Sequence, residues 1–296
     1  MPVILRIVSA LLVSFLTAML VFTGGCMTFR DTDAKTERYF VKKEQLVQIR
    51  RISFNDRRIR IIETKNIKQD SLPLVIFVHG APGSAKDFQR YLTDSVLLTK
   101  VRMIVFDRPG YGYSGYGRAI TDIGQQAAAV EAIANDVQPA RLILVGHSYG
   151  GPIVGRYAMD YPNRASAIMM LAPVIDPESE KIFWYANFAK WRTTRWMLSK
   201  AWQVSGDEKF AHPGELQKMA AGWSSIDIPV VHIHGKRDRQ LAPYGNVTFS
   251  EKRIRPDVLK LLVLEKSGHL IPFMDYDVVR EELLQLLQPE LGLLHN

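Results

Sequence analysis

A pentapeptide near the middle of the chain places one nucleophilic side chain between two glycines. Residues 146–150 read Gly-His-Ser-Tyr-Gly, and the strand-like run Arg141–Val145 precedes them directly. A serine flanked in this way, where a strand turns sharply into a helix, presents its hydroxyl clear of the sheet. The N-terminus of the following helix favours a developing negative charge. We therefore expect Ser148 to be a nucleophile.

Short apolar runs alternate with helical stretches along most of the chain. The runs Leu74–Val78, Ala167–Leu171 and Val230–His234 are typical of strands buried on both faces. Strands that alternate with helices predict a mainly parallel sheet with helices on both faces. Residues 47–296 are therefore predicted to form one α/β domain. The predicted helices between its early strands are 86–98, 121–135 and 149–161.

Two further motifs follow predicted strands. His79–Gly83 reads His-Gly-Ala-Pro-Gly, and Asp107–Ser114 reads Asp-Arg-Pro-Gly-Tyr-Gly-Tyr-Ser. Together with the turn at Ser148 they resemble, in the right order, the oxyanion loop, the D-x-x-G-x-G-x-S loop and the nucleophile elbow of the α/β-hydrolase family. The resemblance covers roughly residues 47–290. It implies the α/β-hydrolase fold with a helical lid insertion.

The resemblance also implies a catalytic triad in the chain order serine, acid, histidine. Of the seven histidines, His269 lies on the loop between the last predicted strand and the last predicted helix, and it matches the family's base. Asp238 follows the run Val230–His234 and matches the acid. Asp176 occupies the alternative position for the acid. His147, inside the turn, is expected to point away from the site.

The family's oxyanion hole uses two backbone N–H groups. One would come from Tyr149, directly after the nucleophile. The other would come from Ala81, because Pro82 has no N–H. A Ser-His-Asp mechanism of acyl transfer uses neither a metal nor an organic cofactor. No zinc-protease, Walker A or dinucleotide-binding motif is present, so we predict no cofactor.

A stretch of about fifty residues without a predicted strand separates Leu171 from Val230. The predicted insertion spans about 175–226 and holds all five tryptophans, Trp184, Trp191, Trp196, Trp202 and Trp223. In this family an insertion here usually forms a lid, and Trp184, Phe188 and Trp191 are candidate lid or pocket residues. Three interpretations stay open. The aromatic side chains pack onto the domain, line an apolar acyl or aromatic pocket, or lie on a membrane with nearby basic residues.

The favoured function is a serine hydrolase that acts on a small or lipid-like apolar carboxylic ester. An amide or peptide hydrolase is one alternative, because the motif His79–Gly83 resembles the loop of prolyl aminopeptidases. A C–C bond hydrolase shares the same catalytic residues. A non-catalytic surface lipoprotein is disfavoured, since a binding scaffold needs no triad. The natural substrate and the oligomeric state do not follow from the sequence.

The N-terminus has the layout of an export signal. Residues 7–29 carry no charge, follow Arg6 and include Thr23-Gly24-Gly25-Cys26. Small residues before a lone cysteine resemble the bacterial lipoprotein signal, which implies a lipid on Cys26. Residues 1–25 are thus predicted to be a signal peptide or membrane anchor, and 26–46 a charged tether. We expect a location in the bacterial cell envelope, at the outer membrane of a Gram-negative cell or as an inner-membrane anchor facing the periplasm.

Composition narrows the remaining possibilities. The 296 residues are 47% hydrophobic and 23% charged, which is typical of a globular protein. One cysteine excludes an intrachain disulfide framework and a cysteine-rich metal site. The net charge is +8, and cleavage before Cys26 would remove only Arg6. The charges are scattered and no nucleic-acid motif accompanies them, so we predict a small-molecule or lipid-like substrate, membrane attachment through the N-terminus and no nucleic-acid partner.

Overall fold

A computed structural model describes residues 29–65, 72–182 and 184–288, together with Ser9 and Ser14. The strands within this part of the chain are β1 (Val47–Phe54), β2 (Arg57–Thr64), β3 (Leu74–Val78), β4 (Arg102–Phe106), β5 (Leu142–His147), β6 (Ala167–Leu171), β7 (Val230–Gly235) and β8 (Leu259–Leu264). They form one sheet in the order β1-β2-β4-β3-β5-β6-β7-β8. The strand β2 is antiparallel to β1 and β4, and all other neighbours are parallel.

Helices connect and cover these strands. They are α1 (Asp33–Val41), α2 (Ser95–Leu98), α3 (Ile123–Val137), α4 (Gly150–Asp160), α5 (Asn187–Lys190), α6 (Arg192–Arg195), α7 (Lys200–Met219), α8 (Gly245–Arg253), α9 (Ile271–Met274) and α10 (Tyr276–Leu286). Short 3₁₀ turns occupy Ala85–Phe88, Tyr91–Thr93, Trp184–Ala186 and Gly222–Ser225.

The sheet is buried on both faces, as its continuous apolar strands predict. Successive residues of a strand point to opposite faces, so Leu144 and Val145 of β5 enter two different hydrophobic clusters. The first cluster contains residues of α3 and α4, and the second contains residues of α10. Because β5, β6, β7 and β8 run parallel, their carboxyl ends meet at one edge of the sheet. The predicted site residues Ser148, Asp238 and His269 all follow strands that end there.

The prediction that residues 26–46 form a charged tether is wrong for part of that range, because Asp33–Val41 forms α1. Phe40 is buried in the core, and Asp33 pairs with Arg51 and with the buried Arg60. The folded domain therefore begins before residue 47. Cys26 and, apart from Ser9 and Ser14, the predicted signal peptide or anchor lie outside the described residues. No helix in the described part of the chain is long and apolar enough to cross a membrane.

Two other predicted elements differ from the structure. The helix expected at 86–98 is divided into two 3₁₀ turns and α2. The division follows from local capping, because the Asp94 carboxylate accepts the backbone N–H groups of Val96 and Leu97 and starts a new helix. The predicted lid is likewise divided: Trp184 lies in the 3₁₀ turn Trp184–Ala186, Phe188 lies in α5, and Trp191 lies between α5 and α6. We call residues 175–226 the cap.

Candidate active site

Ser148 lies in a sharp turn between β5 and α4. Its φ of +55° is in the left-handed region, which a non-glycine residue adopts only under constraint. A Cβ atom on Gly146 would lie 2.2 Å from the carbonyl oxygen of Gly150, and one on Gly150 would lie 2.2 Å from that of Val78. Both glycines are thus required by close backbone approach, which explains their spacing around the serine.

The loops after β7 and β8 bring Asp238 and His269 together. The His269 Nδ1 and Asp238 Oδ2 atoms are 2.5 Å apart, and the other carboxylate oxygen accepts the backbone N–H groups of Leu241 and Ala242. Because the carboxylate accepts the proton on Nδ1, the Nε2 atom of the neutral ring is free to accept another proton. Burial alone would raise the pKa of Asp238, but the hydrogen bond and charge of His269 outweigh it and the pKa lies below its ordinary value.

The sequence analysis predicted that His147 points away from the site, and this prediction is wrong. Its Nε2 atom lies 3.0 Å from the backbone oxygen of His269, and the two rings are 5.0 Å apart between centroids. Since a carbonyl oxygen only accepts, His147 donates the proton of Nε2. Burial, and then the neighbouring His269, lower the pKa of His147 to about 3. This neutral histidine links the nucleophile turn to the histidine loop.

The alternative acid has different partners. The Asp176 carboxylate accepts the hydroxyl of Ser179 at 2.5 Å and the backbone N–H of Glu178. Among the described residues, the carboxylate that accepts a hydrogen bond from the His269 ring belongs to Asp238 and not to Asp176. Asp107 instead accepts the N–H groups of Ala85 and Tyr113, which ties together the two loops that follow β3 and β4.

The peptide that carries the Ala81 N–H is fixed from its carbonyl side. The Gly80 oxygen accepts His79 Nδ1–H at 2.7 Å and Arg108 Nη2–H at 3.0 Å. The other ring nitrogen of His79 accepts the Arg108 backbone N–H, which settles the tautomer. In a trans peptide the N–H points away from the C=O. His79 and Arg108, which bind the Gly80 oxygen, therefore do not block the Ala81 N–H. A Cβ on Gly80 would lie 3.1 Å from the Ser148 Cβ, so this loop passes directly beside the nucleophile.

Tyr149, the second predicted oxyanion residue, lies at the start of α4 under the cap. Its ring stacks on His212 of α7 with centroids 4.5 Å apart. The Arg108 guanidinium lies 4.9 Å from the Tyr149 ring centroid. The cap helix α7 thus packs directly on the residue that follows the nucleophile.

One functional residue escaped the sequence analysis, because no local pattern distinguishes it. Glu208, in the middle of α7, binds Arg108 through both carboxylate oxygens at 2.7 and 3.1 Å. It also accepts the Tyr111 hydroxyl and the Gln126 amide. Its partners Arg108 and Gln126 lie 100 and 82 residues earlier in the chain, so no local sequence signal marks Glu208.

The cap aromatics divide into two groups. Trp223 is fully buried against Gly155, whereas Trp184, Phe188 and Trp191 are 74%, 38% and 52% exposed. The domain therefore leaves most of Trp184 and Trp191 uncovered, and Phe188 is only partly exposed. Within the described ranges, no group of three or more His, Cys, Asp or Glu side chains is arranged to hold a metal ion.

Known proteins resemble this architecture. A family model described as the alpha/beta hydrolase fold matches residues 73–198. An esterase from Exiguobacterium antarcticum superposes with a TM-score of 0.62 at 20% identity, over 80% of this chain and 98% of that one. This chain has the α/β-hydrolase fold.

Relatives with this fold differ in the activities that their names state. A non-heme chloroperoxidase from Streptomyces lividans is 34% identical over 107 residues, which are 36% of this chain and 38% of that protein. A bifunctional esterase/perhydrolase from Acinetobacter calcoaceticus is 30% identical over 105 residues, again 36% of this chain and 38% of that protein. The chain thus spans less than two fifths of the length of either relative, so these matches leave the reaction of this α/β-hydrolase-fold protein open.

Proposed function

We propose that the protein is a serine hydrolase that cleaves a small or lipid-like apolar carboxylic ester. The observation that carries this proposal is the hydrogen bond between His269 Nδ1 and the Asp238 carboxylate. It leaves Nε2 as the proton acceptor at the sheet edge where Ser148 is held in a strained turn. The esterase/perhydrolase relative adds support for an ester bond, although the match covers only part of that protein.

The proposed reaction has two halves. In the first, His269 Nε2 takes the hydroxyl proton as the Ser148 oxygen attacks the ester carbonyl. The backbone N–H groups of Ala81 and Tyr149 stabilise the resulting oxyanion. When the tetrahedral intermediate collapses, His269 gives the proton to the departing alcohol. In the second half, water attacks the acyl-serine by the same route and releases the carboxylic acid.

Labelling with a fluorophosphonate tests the nucleophile. We expect the folded wild-type chain to be labelled on Ser148 and the Ser148→Ala variant to be unlabelled. The Asp176→Asn variant serves as a control that keeps the proposed triad intact and should label at the wild-type rate. Folded wild-type protein without label on Ser148 would refute the proposal.

A substrate panel distinguishes ester hydrolysis from the alternatives. We expect turnover of p-nitrophenyl esters, with a preference that changes with acyl chain length, and slower turnover of aminoacyl amides. Faster cleavage of the amides would favour the peptidase interpretation. Labelling without turnover of either series would direct the search to C–C bond substrates.

The proposal also places the enzyme in the bacterial cell envelope. Its support is the uncharged run that ends in Gly24-Gly25-Cys26, which resembles a lipoprotein signal. A lipid on Cys26, or the run itself as an anchor, would hold the domain at the membrane. Incorporation of labelled palmitate by the wild type, and its loss in Cys26→Ala, is the expected result. Incorporation that persists in Cys26→Ala would exclude lipidation at this residue.

A further inference from the structure

The front of the cap exposes a row of large apolar side chains. The row, here called the cap surface, consists of Ile182, Trp184, Phe188, Trp191 and Trp196. Each is more than a third exposed, and Trp184, Trp191 and Trp196 are more than half exposed. Ring centroids 6.1 and 6.0 Å apart join Trp184 to Phe188 and Phe188 to Trp191. Exposed apolar side chains that adjoin in this way mark an interaction site.

Within the sequence segment that carries the cap surface, residues 181–206, the charges have one sign, and the acidic residues Glu178, Glu180 and Asp207 flank that segment. Residues 181–206 contain five basic side chains, Lys181, Lys190, Arg192, Arg195 and Lys200, and no acidic one. Arg195 is paired with Asp207, so its charge is compensated. The other four basic residues give this surface a local positive excess. Tryptophan beside lysine and arginine is the composition of segments that lie in the interface of an anionic bilayer.

The N-terminal end of the described domain lies at the same cap. The Phe29 ring contacts Trp202 of α7, with centroids 6.2 Å apart, and packs beside Ala201 and Val204. The Arg30 guanidinium lies 4.2 Å from the Tyr113 ring centroid. Directly before Phe29 the sequence is uncharged back to residue 7. The described chain therefore begins, at Phe29, beside the cap helix α7.

We propose that the cap surface lies on an anionic lipid bilayer, on the same side of the domain as the apolar N-terminal segment. A second copy of the chain fits this surface less well. A two-fold symmetric contact would place the same basic residues of both copies against each other, whereas anionic headgroups neutralise them. For the proposed esterase the consequence is a substrate class. Because α7 packs on Tyr149 next to the nucleophile, the site would take esters that reside in the bilayer.

Intrinsic fluorescence provides a direct test, because all five tryptophans lie between residues 184 and 223. The full chain would be reconstituted into phosphatidylcholine vesicles with and without phosphatidylglycerol, using lipids brominated on the acyl chains. We expect strong quenching in the anionic vesicles. The variant Trp184→Phe/Trp191→Phe/Trp196→Phe should lose most of the quenching, since Trp223 is buried and Trp202 is half-buried. Membrane-bound protein with unquenched tryptophans, or a dimer cross-linked through the cap surface, would overturn the proposal.

Charge variants test the lipid specificity. Lys190→Gln/Arg192→Gln should reduce the quenching in anionic vesicles. The double variant should also lower the ratio of activity on a vesicle-embedded ester to activity on a soluble ester by about thirtyfold, given roughly 1 kcal/mol for each of the two basic residues near the surface. The matched control Lys42→Gln/Lys43→Gln removes two exposed charges at the end of α1 and should leave both unchanged. Equal effects of the two pairs would refute the assignment. This inference rests on the proposed hydrolase only for the substrate class. Quenching without labelling of Ser148 would refute the enzyme and leave the lipid contact standing.

Discussion

Glu208 of the cap helix and Arg108 of the loop after β4 form an ion pair that is shielded from solvent. Their side chains are 0% and 1% exposed, and both carboxylate oxygens receive guanidinium protons. The same guanidinium donates to the backbone oxygens of His79 and Gly80. The position of α7 is therefore coupled, through one arginine, to the peptide that carries the Ala81 N–H.

Replacement of Glu208 by glutamine should impair both folding and turnover. It leaves the Arg108 charge buried without a counter-charge, which costs about 3–5 kcal/mol of unfolding free energy. In the fraction that stays folded, a less firmly held Gly80 oxygen should lower kcat more than it changes KM. Denaturant titration and steady-state kinetics measure the two effects.

The neighbouring variant Asp207→Asn is the control for this prediction. It breaks the Arg195–Asp207 pair, whose members are 28% and 36% exposed, and such pairs contribute under about 1 kcal/mol. If Asp207→Asn and Glu208→Gln were equally harmful, the effect would arise from the helix and not from the buried pair.

A methyl group on Gly146 should abolish activity. The added Cβ would lie 2.2 Å from the Gly150 oxygen, so the turn that presents Ser148 must deform. Gly214→Ala is a matched substitution inside α7, where a Cβ meets no atom within 4 Å. We expect it to stabilise the protein by up to about 1 kcal/mol. Labelling of Ser148 and thermal unfolding compare the two variants, and an active Gly146→Ala enzyme would contradict the strained turn.

The Asp238→Asn substitution should reduce kcat by about four orders of magnitude while the fold is kept. The amide can donate to Nδ1 and so favour the tautomer with its proton on Nε2, which cannot accept the serine proton. The control is Asp176→Asn, because Asp176 bonds to its own turn. A loss confined to Asp176→Asn would reassign the acid.

The free energy of unfolding should decrease as the pH falls below about 6.5. Burial lowers the pKa values of His79, His147 and His232 from 6.5, that of His147 to about 3. As the pH falls, the unfolded chain binds protons that the folded chain does not, so stability is lost. Asp87 opposes this trend, because burial raises its pKa to about 7 and the folded state keeps its proton.

Three histidines against one carboxyl leave a net uptake of about two protons on unfolding, a loss of roughly 2.5 kcal/mol per pH unit between about pH 6 and 5. Burial also lowers the pKa of His234, which adds to this loss. Denaturation midpoints at several pH values measure this slope. In the His232→Gln variant one proton fewer is taken up on unfolding, so the dependence of the unfolding free energy on pH should be less steep. A flat profile would mean that the buried histidines are protonated without unfolding.

The strand pattern could be predicted from the sequence because the core of the sheet is encoded locally. The apolar runs Leu74–Val78, Ala167–Leu171 and Val230–His234 lie in the strands that they predict. The resemblance to the α/β-hydrolases likewise implied that Asp238 and His269 belong to one site, and their side chains are hydrogen-bonded. These predictions required only short stretches of sequence and the rules of parallel sheets.

The differences arose where distant residues decide. The charged stretch around Asp33 folds into α1 because Arg51 and Arg60, contributed by the first two strands, bind its carboxylate. His147 turns toward the site because it meets a carbonyl 122 residues further along the chain. Glu208 acquires its role from Arg108, 100 residues earlier. None of these partners is visible in a local pattern.

The cap contains two parts that differ in how they are held. Its rear, α7, is fixed to the domain by Glu208 and by Glu215, which accepts the backbone N–H at the start of α3. Its front, before α7, consists of short helical turns and exposed rings. Segments with few buried contacts open by local unfolding at a lower free energy than the global transition. Amide protons at the front should therefore exchange while those of α7 stay protected, so the front of the cap can open without disturbing the alignment of the Gly80 peptide.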